Sequence, residues 1–401
     1  MNTLTNSKNN NAPDPTFGVE GKVLFNLPGI SNPGSSVLQT DGKILSVIAV
    51  GDRLALVRHL NTGVVDSLFG DQGIKYIDLV PRQPITKAWI TLQSDGKAVI
   101  FGSFGRLDKL VHNVFLIRVL PEGDLDLSFG EGGRLIFNES SGKQKCNCIA
   151  IQDDGEIVFV STEVSGVEDD KVIIRRILDN GKPDSSFGSN GEVYAGKIYI
   201  SSILTLKSGK LLFAGSRNGK LMFTRYLENG ELDTSFGDDG FAIIPVKSSL
   251  AAQITGIAQQ SDGKFVASGH ARFEGKEQPL ATRIHSDGKL DDSFYGGTPN
   301  IEAYDGGAIH STITIQSDNK AVAAGASFGN AERADFMLMR YLENGKVDPT
   351  FGTDGRIMTN LGGIDLANRI HIQNDGKLLV TGDVTEYLTT SFIGMVRYLN
   401  T

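Results

Sequence analysis

Residues 221–241, LMFTRYLENGELDTSFGDDGF, decide the fold of this chain, because their pattern returns along its whole length. The fixed points are Arg225, Asp233 eight residues later, Phe236-Gly237 and Gly240. The arginine and aspartate recur at the same spacing as Arg58/Asp66, Arg118/Asp126, Arg176/Asp184, Arg283/Asp291 and Arg340/Asp348. The phenylalanine recurs at Phe17, Phe69, Phe129, Phe187, Phe236, Phe294 and Phe351, in steps of 52, 60, 58, 49, 58 and 57 residues. Self-similarity at such a period marks a repeat architecture, in which each copy is one supersecondary unit that cannot bury its apolar face alone.

Working outward, a second motif accompanies these segments: LQTDGKIL, LQSDGKAV, IQDDGEIV, LKSGKLL, QQSDGKFV, IQSDNKAV and IQNDGKLL. An Asp-Gly turn between β-rich runs is a strong hairpin signal, read here as a two-residue loop with both central residues at positive φ. A copy then reads as a hairpin, a third strand ending in Arg-Tyr-Leu or its like, a turn, the Asp-x-x-Phe-Gly segment and a fourth strand. No segment carries a capped apolar period of 3.6 residues, so helices are expected to be scarce. The expectation is an all-β chain: a seven-bladed β-propeller of four-stranded blades, one domain over residues 13–401 behind a flexible polar tail at 1–12. Arg397 has no aspartate after it, and Asp14 has no arginine before it. Pairing the two makes residues 20–27 the outer strand of a blade whose three inner strands come from 365–399, a 3+1 closure that leaves no open edge.

These motifs resemble the delta-60 repeat family, bacterial propeller-like repeats with the Gln-x-Asp-Gly-Lys hairpin and an Arg-Tyr-Leu…Gly-x-x-Asp-x-x-Phe-Gly-x-x-Gly signature. The resemblance covers nearly the whole chain. It implies a propeller, and implies neither a reaction nor catalytic residues. Departures at Phe294-Tyr295-Gly296-Gly297, Ser208-Gly209 and Asp318-Asn319 mark the fourth and sixth hairpins, and the turn between them, as irregular.

Composition narrows the partners. With 39 Lys+Arg against 47 Asp+Glu, a net charge of -8 and no basic cluster, a groove that tracks nucleic-acid phosphates is not expected. No apolar run is long enough for a membrane span, and the polar first residues lack the apolar centre of a secretory signal. A cytoplasmic monomer is therefore expected, with export without a cleaved signal as the alternative. Cys146 and Cys148 would share one side of a regular strand; they read as free thiols, since two thiols alone make no structural zinc site. Calcium at loops such as FGDDG and FGTDG is a weaker alternative to having no cofactor, because one or two carboxylates fall short of an EF-hand ligand set.

A residue present in every copy serves what every copy needs. The arginines and aspartates named above, with Arg397 and Asp14, therefore read as a structural lock between third and fourth strands, and the phenylalanines as core plugs. The Asp-Gly-Lys lysines read as solvated. Chemistry that does not repeat belongs to the face opposite the short turns, where loop sequence varies between copies. Near the starts of the innermost strands lie Lys87, Trp89, His310, Arg369 and His371, with Tyr304 and Asp305 just before His310. Lys87 and Arg369 suggest a cationic anchor, and His310 with Asp305 a general base. His112, His270, Asp169, Asp170, Asp365, Asp383 and Glu386 fall in outer loops or strand ends. No Gly-x-Ser-x-Gly, His-Glu-x-x-His, P-loop or dinucleotide fingerprint occurs. The function expected is a non-enzymatic propeller that binds a protein, glycan or small ligand through its variable face and channel mouth. The alternative is a hydrolase, lyase or lactonase with a metal or His/acid site at the same place.

Overall fold

The computed structural model describes residues 12–27, 31–79, 83–106, 111–137, 144–164, 170–330, 333–386 and 390–399. Among them lie twenty-eight strands and no helix. The strands form five four-stranded antiparallel sheets and one eight-stranded sheet, whose two halves meet through a single parallel bridge, Ala334↔Ile364. Strands pair in chain order within a unit, as in Ala251–Gln259, Phe265–Phe273, Lys276–Ile284 and Asn300–Ile301. The first strands of the units are Ser31–Leu38, Ile85–Leu92, Gln144–Ile151, Tyr199–Thr205, Ala251–Gln259, Ala308–Ile315 and Ile364–Ile372. Each packs against the next, and the last packs against the first. Sheets arranged radially about their first strands make a β-propeller. The strand Thr390–Tyr398 takes its outer partner from the other end of the chain, Lys22–Phe25, in the register Lys22↔Val396 to Phe25↔Ile393. Ala12, assigned to the tail from sequence, accepts the Leu399 N–H on its carbonyl at 3.2 Å, while residues 1–11 of that tail lie outside the described residues.

The hairpin loops have three residues, not two. The Gln93 N–H bonds the Lys97 carbonyl at 2.8 Å and the Gly96 N–H bonds the Gln93 carbonyl at 3.0 Å, so only Gly96 is left-handed, with φ 86°. This is a type I turn closed by a left-handed residue, the next commonest hairpin connection. The fourth and sixth hairpins follow the same rule. Leu206 bonds Lys210 at 2.9 Å with Gly209 at φ 76°, and Asn319 at φ 63° stands in for glycine, which an asparagine side chain tolerates. At the remaining irregular copy Tyr295 takes φ 50°, and the outer strand shrinks to Asn300–Ile301.

The repeated charges join neighbouring units. In every copy the arginine Nε donates to the aspartate Oδ2 at 2.6–3.0 Å, and its guanidinium lies 4.4–4.9 Å from the centre of that copy's own phenylalanine ring. A second arm crosses to the next unit's turn: Arg176 Nη1 to the Glu228 carbonyl at 2.7 Å, Arg225 to Ser286 at 2.6 Å, Arg397 to Asn61 at 2.5 Å. The phenylalanine is sealed by that same turn, where a Cβ on Gly123 would sit 2.5 Å from the Phe69 ring. The Asp-Gly-Lys lysines are not simply solvated. Lys210 reaches Asp233 at 2.9 Å and Lys377 reaches Asp14 at 3.2 Å, which ties the hairpin to the lock.

The Arg/Asp contact recurs in all seven copies, but its surroundings do not, and Asp66 is the exception. Elsewhere a serine or threonine two residues on, at Thr16, Ser128, Ser186, Ser235, Ser293 and Thr350, donates its hydroxyl to the aspartate Oδ1 at 2.5–2.8 Å. After Asp66 that place is taken by Leu68, 92% exposed, which has no hydroxyl and offers Oδ1 only its backbone N–H, at 3.3 Å. Arg58 still reaches Asp66 Oδ2 at 2.9 Å, but its arm to the next unit's turn, on the Pro121 carbonyl, is stretched to 3.4 Å. The reduced donor set makes this copy a looser version of the lock that spacing alone suggests.

Every first strand carries a bulge. In six of them it falls at the fifth residue before the hairpin Gln or its equivalent: Gly34, Asn147, Ser201, Thr255, Ser311 and Asn368. The side chain so released donates to a carbonyl of the next unit, just before its bulge for Asn147 to Ile200 at 2.8 Å and Thr255 to His310 at 2.6 Å, and within it for Asn368 to Gly34 at 3.3 Å. Bulges re-aim side chains, and here they stitch the inner strands edge to edge. The bulge between Cys146 and Cys148 also reverses the expected sidedness of the two thiols. Cys146 joins the core shared with Phe101 and Phe159, and Cys148 packs toward the next core, with Ile200 and Phe213.

Candidate functional site

The first strands enclose a cavity of about 960 Å³. Its wall is uneven because of one position, four residues before the hairpin Gln or its equivalent. Cys148, Ser202, Gly256 and Thr312 are small there, whereas Trp89 and Arg369 are large; the equivalent Ser35 is buried, its hydroxyl oxygen accepting the Ile90 N–H at 2.8 Å. Local structure explains how Trp89 comes to the cavity with Lys87. In Ile85–Leu92 the bulge sits two residues earlier than elsewhere, at Thr86, so Ala88 turns into the core and Lys87 and Trp89 face the opening.

The Lys87 Nζ lies 4.5 Å, and the Arg369 Cζ 4.9 Å, from the centre of the Trp89 ring. Each is within cation–π range. Arg369 otherwise bonds only the Asn368 carbonyl, at 3.3 Å, and neither cation has an ion-pair partner among the described residues. Burial depresses the Arg369 guanidinium below its ordinary value. Beside the pair, Asp383 accepts a 3.3 Å hydrogen bond from Asn368 Nδ2; burial pushes its carboxyl up to about 7, against the pull of Lys87 and of that bond. The His371 Nε2 meets the Ser36 carbonyl at 3.1 Å, and burial first, with Arg369 adding to it, holds the ring at about 4, so it stays neutral. Two polar atoms here are buried without a partner, Trp89 Nε1 and Asn368 Oδ1. A side pocket of about 310 Å³ shares Lys87, Trp89, Asn368 and Asp383 and is completed by groups including Asn32, Thr86 and Thr385.

The structure therefore brings Lys87, Trp89, Arg369 and His371 together and leaves the other candidates elsewhere. His310 is wholly buried, its Nε2 is 2.9 Å from the Tyr341 hydroxyl, and burial pushes it down to about 3. The bulge after it turns it between units. Asp305 is exposed and holds Lys276 through its carbonyl, so it forms no dyad with His310. Tyr304 lies under Arg356 at 4.7 Å, its backbone paired with Gln278. His270 is on a second strand opposite Gln253, and Asp365 caps a loop through the Leu361 and Gly363 N–H groups. Asp170 lines the cavity, and Glu386 ends the second strand Leu378–Glu386. Asp169 and the side chain of His112 lie outside the described residues. Among the described residues no group of three or more His, Cys, Asp and Glu side chains is placed to hold a metal ion. Sequence reasoning missed the partnership of Asn368 with Asp383, because it depends on the bulge.

Comparison with known proteins agrees with the architecture. Residues 260–294, 316–351 and 373–401 match the model of a family described as a domain of unknown function (DUF5122) beta-propeller. A search of curated proteins finds no match. Solved structures share the fold across most of the chain. The PL25 ulvan lyase, a polysaccharide lyase, is 11% identical over 93% of this chain and 95% of its own, with a TM-score of 0.56. A protein from Lactobacillus plantarum is 13% identical over 84% and 88%, with a TM-score of 0.54. Drosophila Semaphorin 2a is 9% identical over 96% and 76%, with a TM-score of 0.50. At these identities the likeness is one of fold, and the same fold hosts unrelated activities.

Proposed function

We propose that the chain is a seven-bladed β-propeller, closed 3+1 by Lys22–Phe25, that binds a small anionic ligand at the mouth of its channel without transforming it. Twenty-eight strands, the unbroken ring of first strands and the pairing of Lys22–Phe25 with Thr390–Tyr398 support the architecture. One observation carries the function: Lys87 and Arg369 converge on Trp89 inside a cavity, with no ion-paired carboxylate among the described residues to neutralise either, in a chain of net charge -8. Two like charges held at one ring repel each other, and an anion between them relieves the repulsion while gaining charge-assisted hydrogen bonds. The binding reading is preferred to a His/acid enzyme because the one histidine in the cluster, His371, is held neutral and bonded to backbone.

Trp89 is the single tryptophan of the chain, so its fluorescence reports on this site alone. Titration with succinate, sulfate and D-glucuronate should change the emission saturably for at least one anion and raise the melting temperature in parallel. Arg369→Gln and Lys87→Gln should each weaken that response by roughly tenfold or more, the loss of about one charge-assisted contact. Absence of any anion response in the wild type, or an Arg369→Gln response equal to it, would overturn the reading.

A further inference from the structure

The site takes not any anion but, we infer, a sugar acid, a polyhydroxylated carboxylate of monosaccharide size; this rests on the anion-binding reading above. The groups left unmet beside the cations divide by what they need. Trp89 Nε1 is a donor that a carboxylate or a hydroxyl oxygen satisfies. Among the described residues, Asn368 Oδ1 is a buried acceptor with no donor, and Asp383 is a second acceptor whose only hydrogen bond is the 3.3 Å contact from Asn368. A bare carboxylate has no proton to give to either, so it would leave both acceptors as they are. A neutral polyol supplies donors but leaves Lys87 and Arg369 without a counter-charge. Only a ligand with both functions completes the cluster, and buried polar groups cost on the order of 1–3 kcal/mol each when left unpaired.

The shape follows the same division. Lys87, Trp89, Asn368 and Asp383 line both the main channel and the side pocket of about 310 Å³, whereas Arg369 borders the channel alone and Thr385 the side pocket alone. That volume lies at the small end of ligand sites. Beyond Asp383 the side pocket offers Asn32 and Thr385, short polar groups suited to further hydroxyls. The carboxylate thus faces Lys87 and Arg369, the ring hydroxyls face Asn368 and Asp383, and the far edge of the sugar faces Thr385.

Three probes of the wild-type chain separate the contributions: D-glucuronate, succinate and D-glucose, each titrated by Trp89 fluorescence and checked by calorimetry. Glucuronate should bind roughly tenfold or more tighter than succinate, and glucose weakest of the three. Thr385→Val, remote from the inter-unit hydrogen bonds, and Asn368→Ala should weaken glucuronate by several-fold to about tenfold while leaving succinate within about twofold. If succinate binds as tightly as glucuronate, or if Thr385→Val leaves glucuronate unchanged, the sugar-acid inference fails and the anion site survives. If glucose equals glucuronate, or no carboxylate binds, the anion reading itself falls.

Discussion

Asp383 sits where two influences oppose each other. Burial favours its neutral form, and the Lys87 charge and the Asn368 hydrogen bond favour the carboxylate, with a resulting pKa of about 7. An acid raised from 3.8 to about 7 by folding keeps its proton in the native chain at pH values where the unfolded chain has lost it. Its contribution to stability is therefore full below about pH 4 and declines as pH rises toward 7. Binding should follow the same direction. Protonated, Asp383 still accepts a ligand hydroxyl on its carbonyl oxygen and repels nothing; ionised, it repels the ligand carboxylate and competes with it for Lys87. Affinity for glucuronate should fall as pH rises from 6 to 8, and Asp383→Asn should flatten that profile. His371, held at about 4, does not titrate in this window, and Arg369, though depressed, remains a guanidinium. A profile unchanged in Asp383→Asn would assign the dependence to something else. Of this cluster, Lys87, Trp89, Arg369 and His371 were legible in sequence from their place at strand starts. Asp383 read only as a strand-end carboxylate, since its link to Asn368 needs the bulge register.

The first strand with its bulge is the element that joins each unit to the next. Polar residues at the bulge, Asn147, Ser201, Thr255 and Asn368, reach the next unit's backbone. Thr255→Val keeps the shape and removes the donor to the His310 carbonyl, and should cost about 1 kcal/mol, measured by urea unfolding. The lock at the other end of each unit is stronger. Arg340→Ala would leave Asp348, which is 2% exposed, with Lys320 as its remaining cation, and about 3–5 kcal/mol is expected from removing one partner of a buried pair. These elements were unequally readable. The Arg/Asp spacing shows in any alignment of the copies because all seven need it, yet spacing did not show that Asp66 lacks the hydroxyl donor of the others, which turns on Leu68 alone. The bulge residue varies as Gly, Asn, Ser or Thr; Asn, Ser and Thr all make the bond and Gly34 only accepts it on its carbonyl, so no single letter repeats. The hairpin motif was readable as a turn but not as its type: Asp-Gly serves both two- and three-residue loops, and the hydrogen bond from Gln93 to Lys97 selects the longer one.

At the scale of the whole molecule, the chain depends on one strand contributed from far away in sequence. Arg397 Nε bonds Asp14 Oδ2 at 3.0 Å across 383 positions, in the same geometry that the other copies make across eight. Sequence alone could pair the two, because an orphan arginine and an orphan aspartate stood at opposite ends of a regular series. What the pairing protects is the edge of Thr390–Tyr398, which Lys22–Phe25 covers. An uncovered edge offers unpaired backbone groups to other chains. Burial alone would raise the Asp14 carboxyl, but the Thr16 N–H and hydroxyl, Lys377 and Arg397 outweigh it and hold Asp14 at about 2. Its stabilising contribution is thus present above about pH 4 and is lost as pH falls toward 2, opposite in sign to that of Asp383. Removing residues 1–27 should therefore lower the melting temperature sharply at pH 7 and promote concentration-dependent association, measured by calorimetry and light scattering. Asp14→Ala, which keeps the strand, should lower the melt less at pH 7 and should narrow the difference from wild type as pH approaches 2, where the wild-type carboxyl is itself protonated. A truncated chain with an unchanged melt would mean that the ring does not need its outer strand, and the closure proposed above would be wrong.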